Sequence, residues 1–255
     1  MGFKVRPAGS LMTILLVMSL VSGSVAAREV TVSAAASLTE AFNDIAREYQ
    51  AEHPGDTVVL NFAASGVLLQ QIAAGAPVDV FASADQVTMD RAQQLGLLAV
   101  DTRVDFASNA LVLVVPIDST LTLTELASLA GERVTRIAIG QVDTVPAGRY
   151  ARRALEAARV WRQVSPKAVP AQNVRQALDY VARREVDAAL VYLTDAAIMP
   201  ERVTVAFTVP LDVAIRYPVA VVATSTASDA ARTFVAFLRS PRGQAILGKY
   251  GFAPP

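Results

Sequence analysis

The chain has 255 residues with 23 basic and 23 acidic side chains, one histidine and no cysteine. This balance lacks the basic excess of a nucleic-acid-binding protein, so we expect no nucleic-acid partner. The lack of cysteine excludes disulfides, metal–thiolate sites, cysteine nucleophiles and a lipid on an N-terminal cysteine.

Residues 1–27 have the pattern of a cleavable secretory signal peptide. Lys4 and Arg6 form a basic start, residues 11–21 are mostly apolar, and small residues precede Ala27. The apolar stretch is too short to span a bilayer, although a retained N-terminal anchor is the alternative. We expect cleavage after Ala27, which leaves 228 residues (255 minus 27) and a location in a bacterial periplasm.

Apolar β-rich runs alternate with helical patterns along the rest of the chain, which predicts an α/β fold with mixed, mostly parallel sheets flanked by helices. A glycine at 96 and a His-Pro-Gly stop at 53–55 end two of the helices. In chain order we expect strand 30–33, helix 38–52, strand 57–61, helix 67–74, strand 78–82, helix 86–95, strands 110–115 and 136–139, helices 151–160 and 174–182, strands 188–192 and 217–222, and helix 230–238 before a tail.

Two strongly apolar strands, at 110–115 and 217–222, bracket a second self-contained α/β pattern. The simplest layout has two lobes joined by two crossings, with residues 28–107 plus 219–255 in lobe 1 and residues 108–218 in lobe 2. A cleft between two lobes is a common place for a ligand. A single doubly wound domain is the alternative.

Twice in its first third the chain runs a strand into small residues, a serine and a helix. Ser37 follows three alanines and Ser65 follows two. A helix start presents unpaired backbone N–H groups and the positive end of the macrodipole, and each serine adds a hydroxyl. Two such ends together would form an anion site without a charged side chain. Because Glu40 lies three residues after Ser37, a capping box is the alternative role for that serine.

Lobe 2 offers candidates for an opposing wall. Ala147 follows a proline that favours a helix start, and Asn173 could cap a helix that begins at Val174. Tyr192 ends a strand, where its hydroxyl can point into a cleft; a core tyrosine is the alternative. The three arginines within residues 149–153 are expected to form a solvated helix face.

Catalytic and metal-binding patterns are missing from the sequence. No metalloprotease, nucleophile-elbow or phosphate-loop motif occurs, and the single histidine, His53, lies in the helix stop, where a surface role is expected. We therefore expect no enzymatic activity, no cofactor and no direct metal ligand. An exported hydrolase that uses Ser37 or Ser65 is the alternative, and it would need His53 as its base.

Together these motifs resemble those of the periplasmic molybdate-binding proteins of ABC transporters. The resemblance extends in order over essentially the whole chain after residue 27. It is carried by AAASL at 34–38, FAASG at 62–66, DVFASAD at 79–85, VPAGRYA at 145–151, NVR at 173–175, and the VY pair at 191–192 with an aspartate three residues on.

The resemblance implies a two-lobed type II solute-binding fold that holds a tetrahedral oxyanion in its interlobe cleft. Carried over by motif, Ser37 and Ser65 would each supply a backbone N–H and a hydroxyl. Ala147 and Val174 would supply backbone N–H groups, and Tyr192 its hydroxyl. The lobes would close around the ligand, and the closed, monomeric protein would dock on ABC permease subunits in the inner membrane.

The chemistry of these donors agrees with that ligand class. Molybdate and tungstate carry four acceptor oxygens and no proton at neutral pH, so their site needs donors only. Phosphate would also need an acceptor, and none of the candidate positions is a carboxylate. Sulfate stays open as an alternative oxyanion. A ferric site would need paired tyrosines and carboxylates, whereas Tyr192 has no adjacent tyrosine in the sequence.

Overall fold

The computed structural model describes residues 1–4 and 28–255. The predicted signal peptide lies outside the described residues except for its first four, and the described fold begins at Arg28, the residue after the predicted cleavage point. Within the described part of the chain, no helix is long and apolar enough to cross a membrane.

Lobe 1 is built on a five-stranded sheet in the order β2-β1-β3-β10-β4. Its first three strands are parallel, and β10 is antiparallel to both of its neighbours. The elements are β1 (Arg28–Ala35), α1 (Thr39–Glu52), β2 (Asp56–Ala63), α2 (Ser65–Ala73), β3 (Val80–Ala82), α3 (Gln86–Gln94), β4 (Val104–Asn109), β10 (Ile215–Val221), α8 (Ser228–Arg239) and α9 (Pro241–Lys249).

Lobe 2 repeats this arrangement in a second five-stranded sheet, with the order β7-β6-β8-β5-β9. Again three strands are parallel, and β5 is antiparallel to both neighbours. The elements are β5 (Leu111–Pro116), β6 (Ile137–Gly140), α4 (Pro146–Ala157), α5 (Trp161–Val164), β7 (Ala168–Ala171), α6 (Val174–Ala182), β8 (Ala188–Tyr192), α7 (Leu193–Ala196) and β9 (Val203–Thr208).

These two mixed, helix-flanked sheets confirm the predicted fold class. In each sheet four strands point one way and a single strand opposes them. The predicted lobe boundaries, 107/108 and 218/219, fall inside β4 and β10, and the exact division stays a prediction. Because the parallel strands of a lobe end at one sheet edge, the segments that follow them come together there.

Three strands were not predicted, and all three lie at sheet edges. β4, β7 and β9 are each the outermost strand of their sheet. β9 has a single fully buried residue, Val203, and β7 contains Pro170, which an edge strand tolerates. Central strands such as β5 and β8 are buried along their whole length, so their apolar runs are much easier to detect.

Three helices, α2, α4 and α8, begin earlier than predicted, and three, α5, α7 and α9, were not predicted. α2 begins at Ser65 rather than at residue 67, and α4 begins at Pro146 rather than at residue 151. The turns that contain Ser65 and Pro146 are therefore already helical. The prediction of a tail after residue 238 was wrong, because α9 follows α8. Ser240 caps α9 by accepting a hydrogen bond from the Gly243 N–H at 3.1 Å.

Candidate functional site

All five predicted ligand residues line one cavity between the lobes. Ser37 and Ser65 come from lobe 1, and Ala147, Val174 and Tyr192 come from lobe 2. The remaining wall is built from uncharged residues, Ala35, Ala36, Ala64, Ala84, Val145, Pro146 and Asn173.

Four backbone N–H groups at this cavity are free to bind a ligand. Ser65 and Val174 open α2 and α6, Ala147 is the second residue of α4, and Ser37 lies in a 3₁₀ turn over Ala36–Leu38. The first turn of a helix has no intrahelical acceptor for its N–H groups. Within the described residues, no protein carbonyl accepts a hydrogen bond from any of the four. They therefore form an uncharged cradle of donors.

Ser37 does not form the capping box that was the alternative to its predicted ligand-binding role. α1 begins at Thr39, and its N-cap residue, Leu38, makes no side-chain hydrogen bond. The 3₁₀ turn before α1 directs the Ser37 hydroxyl away from the helix, to 3.0 Å from the hydroxyl of Tyr217. The Glu40 carboxylate binds Arg175 instead. Tertiary partners thus replace the local cap that the spacing predicted.

Tyr217, on β10, is a supporting residue that the sequence did not reveal. The Asn109 side chain accepts a hydrogen bond from the Ala110 N–H at 2.9 Å, which orients its amide, and its Nδ2 donates to the Tyr217 hydroxyl at 3.3 Å. In the bond between Tyr217 and Ser37 either hydroxyl can be the donor. When Tyr217 donates, Ser37 keeps its own proton for the cavity. Burial raises the pKa of Tyr217 well above its usual value, so the Tyr217 hydroxyl stays protonated.

The Ser65 hydroxyl is also arranged as a donor. Its oxygen accepts a hydrogen bond from the Ala84 N–H at 3.0 Å. The serine is the first residue of α2, after the N-cap residue Ala64, so it does not cap the helix with its side chain. With its oxygen already occupied by Ala84, the Ser65 proton is left for the cavity.

Tyr192 closes the far side of the cavity. It ends β8, is 1% exposed, and points its hydroxyl across the cleft, where it donates to the Ala84 carbonyl at 3.3 Å. Its backbone N–H is fixed by Asp195 at 3.1 Å. Burial raises the pKa of Tyr192, which keeps this hydroxyl protonated and able to donate.

Two arginines lie near the cavity, and both are paired with carboxylates. Arg149 contacts Asp85 at 2.7 Å, which corrects the prediction that it is solvated. Arg175 contacts Glu40 at 2.5 Å and the buried Asp195 at 2.7 Å. Burial raises the pKa of Asp195 to about 6, and Arg175 opposes that rise. Neither arginine lines the cavity.

The remaining arginines of that helix face behave as predicted. Arg152 pairs with Glu156 one turn along α4, and Arg153 pairs with Asp212, all with largely exposed side chains.

The lobes are in contact around the cavity. The Gly66 N–H donates to the Thr144 carbonyl at 2.9 Å, and a side chain on Gly66 would meet the Thr144 backbone. Together with the bond between Tyr192 and Ala84, this contact closes the cleft over the four N–H groups.

The chain matches, over residues 30–253, a family model described as bacterial extracellular solute-binding protein. This chain belongs to that family. A curated relative from Escherichia coli K12, named molybdate-binding protein ModA, is 40% identical over 245 residues, which cover 91% of this chain and 92% of that protein.

Solved structures agree with this assignment. The substrate-binding domain of a putative molybdenum ABC transporter from Clostridium difficile has a TM-score of 0.68 and 35% identity, and covers 89% of this chain and 99% of its own. A periplasmic molybdate-binding protein from Azotobacter vinelandii has a TM-score of 0.76 at 22% identity, with coverage of 89% and 99%, and shares the fold.

The family is one of binding proteins rather than enzymes, and the geometry around the serines fits this. Neither serine contacts a base. The Ser37 hydroxyl meets a tyrosine and the Ser65 hydroxyl an amide N–H. His53 stacks on Tyr49 at the end of α1, with ring centroids 4.4 Å apart.

The sequence argument against a ferric site needs a correction. A second tyrosine does lie beside Tyr192, since the ring of Tyr217 is 5.7 Å away between centroids. Its hydroxyl is directed to Ser37 and Asn109, and Tyr217 does not line the cavity. The pair therefore presents one hydroxyl, not two, to a ligand.

Proposed function

We propose that this protein captures molybdate, and also tungstate, in the periplasm and delivers it to the permease subunits of an ABC transporter. The proposal extends to this chain the roles that the names of its E. coli and C. difficile relatives give, a molybdate-binding protein and the substrate-binding domain of a putative molybdenum ABC transporter. The N-terminal signal peptide would direct export and then be cleaved. The protein would act as a monomer, without a cofactor or a nucleic-acid partner.

The observation that carries the proposal is a cavity that offers donors and no charge. Four backbone N–H groups and the hydroxyls of Ser37 and Ser65 converge on it, and no lining residue is acidic or basic. The Tyr192 hydroxyl, which donates to the Ala84 carbonyl in this structure, would exchange that bond for one to the ligand. A fully deprotonated tetrahedral dianion can accept from all of these donors. A protonated oxyanion would leave its proton without a carboxylate acceptor, so phosphate is disfavoured.

The donor count is sufficient for tight binding. Hydrogen bonds to a charged ligand contribute about 1.5–3 kcal/mol each, so about seven give on the order of 10–20 kcal/mol before the costs of desolvation and closure. A submicromolar dissociation constant is the expected result. Ala36, Ala64 and Ala147 line the cavity, and their small side chains favour a larger anion than sulfate.

Calorimetric titration of the purified protein with molybdate, tungstate, sulfate and phosphate tests the proposal. We expect one submicromolar site for molybdate and tungstate, and at least about 100-fold weaker binding of sulfate and phosphate, which corresponds to about 2.7 kcal/mol. Comparable binding of sulfate would overturn the selectivity. Failure to bind any of the four anions would overturn the function.

A further inference from the structure

Arg149 connects the two lobes at the mouth of the cavity. It is the fourth residue of α4, two positions after the ligand-facing Ala147. Its guanidinium reaches into lobe 1, where Nε donates to Asp85 Oδ2 at 2.8 Å and Nη2 to the Thr88 hydroxyl at 2.6 Å. A single side chain of lobe 2 thus contacts the loop before α3 and the first turn of that helix.

Both partners are held in place by their own lobes. Nη1 of Arg149 donates to the carbonyl of Asp143 at 3.1 Å within lobe 2. In lobe 1, Asp85 caps α3 by accepting from the Thr88 N–H at 3.1 Å, and it also accepts from the Ser83 hydroxyl at 3.3 Å. Because each group is already oriented, little side-chain entropy remains to be lost when they meet.

The pair is well shielded from water. The Asp85 side chain is 2% exposed and that of Arg149 is 20% exposed. A charge-assisted contact of this kind is stronger than a solvated surface pair. Arg175 also reaches lobe 1, at Glu40 and at the Ser37 carbonyl, but it differs because it is tied as well to the buried Asp195 within lobe 2. Removal of Arg175 would leave a buried carboxylate unpaired and would disturb the lobe itself.

We propose that Arg149 and Asp85 form a latch that holds the closed, ligand-loaded state and sets the rate of ligand release. The latch touches no ligand atom, since neither residue lines the cavity. It forms only when the lobes meet, so it favours the closed state alone. The ligand leaves only after the two lobes open. A contact that is present only in the closed state therefore slows opening by the same factor by which it shifts the equilibrium towards that state. This role rests on the proposed function.

The test measures loss of radiolabelled molybdate from the loaded protein after addition of excess unlabelled molybdate. In Arg149→Gln the guanidinium is lost. In Asp85→Asn the charge is lost but the α3 cap is kept, because asparagine is an equally good N-cap residue. Arg152→Gln is the matched control, since that arginine lies on the same helix and contacts Glu156 and Trp161 within its own lobe.

We expect Arg149→Gln and Asp85→Asn each to release molybdate about 10-fold faster than wild type. The double variant should be no faster than either single variant, and added salt should accelerate wild type more than Arg149→Gln. Arg152→Gln should match wild type. The melting temperature of the ligand-free variants should be unchanged, because the latch is absent from the open protein.

Wild-type release rates in both latch variants would overturn the latch and leave the proposed function standing. A lower melting temperature without faster release would overturn it too, because the pair would then only stabilise the fold. Absence of molybdate binding by wild type would overturn both proposals together.

Discussion

Gly66 is the position where cleft closure is most sensitive to a single added carbon. It lies in the first turn of α2, next to the ligand-facing Ser65, and its N–H donates to Thr144 across the cleft. A Cβ at this position would lie 2.7 Å from the Thr144 carbonyl oxygen and 2.8 Å from its Cα. These are backbone atoms, so they cannot rotate away. We predict that Gly66→Ala prevents full closure.

The magnitude follows from these distances. Ordinary contact begins near 3.4 Å, so the walls must separate locally by about 0.7 Å. The same movement would stretch the bond between Gly66 and Thr144 from 2.9 Å to about 3.6 Å, beyond hydrogen-bonding range. Loss of that bond costs about 0.5–1.5 kcal/mol and residual crowding about 1–3 kcal/mol. The two effects predict molybdate binding weaker by a factor of about 10 to 1,000.

Calorimetry measures the affinity, and small-angle scattering with and without molybdate measures closure. The control is Gly248→Ala in α9, where the added carbon meets nothing within 4 Å. It should bind as wild type does. Gly66→Ala should retain its ligand-free melting temperature and lose much of the ligand-induced compaction. Wild-type affinity in Gly66→Ala would refute the closed geometry on which the site is built.

Three further predictions concern the donors and the fold. Ser37→Ala and Ser65→Ala should each weaken molybdate binding by about 1–3 kcal/mol in calorimetry; unchanged affinity in both would remove the serines from the site. Tyr217→Phe should weaken molybdate binding by about 1 kcal/mol in wild type but not in Ser37→Ala, because Tyr217 acts only through the Ser37 hydroxyl. Equal losses in both backgrounds would contradict this role of Tyr217. Asp56 is desolvated, yet hydrogen bonds from Tyr49 and Arg28 hold its pKa below the usual 3.8. The stabilisation by Asp56 is therefore present above pH 3.8 and lost as the pH falls through the lowered pKa. Asp56→Asn should have a lower melting temperature than wild type at pH 7 and a smaller drop in melting temperature on acidification. Parallel profiles of melting temperature against pH would contradict this.

The parts of the fold that sequence reasoning located well are those whose signals are local and buried. Helix 174–182 and strand 188–192 were predicted to the residue. Asn173 caps that helix as expected, since it accepts from the Gln176 N–H at 3.0 Å. A buried strand shows an uninterrupted apolar run, whereas the missed edge strands mix exposed and buried residues.

The residues that line the cavity were accessible to sequence reasoning for the same reason. A strand end, small residues and a helix start are consecutive in the chain at Ser37 and Ser65. The supporting contacts are not local. Tyr217 lies 180 positions from the serine that it orients, and Arg149 lies 64 positions from Asp85. Helical spacing placed Arg149 with two solvated arginines, and only the approach of the lobes changes its environment.

The charges around the cavity explain how a site for a dianion can select by geometry. A free guanidinium in the cavity would attract any anion, because Coulomb attraction depends on charge and distance rather than on protonation or shape. Here Arg149 and Arg175 lie just outside the wall and are matched by Asp85, Glu40 and Asp195. Under the proposed function, the ligand would therefore meet helix starts and hydroxyls with fixed directions. An anion that is protonated, or too small to reach donors on both lobes, leaves some of them unpaired, and each unpaired buried donor costs about 1–3 kcal/mol.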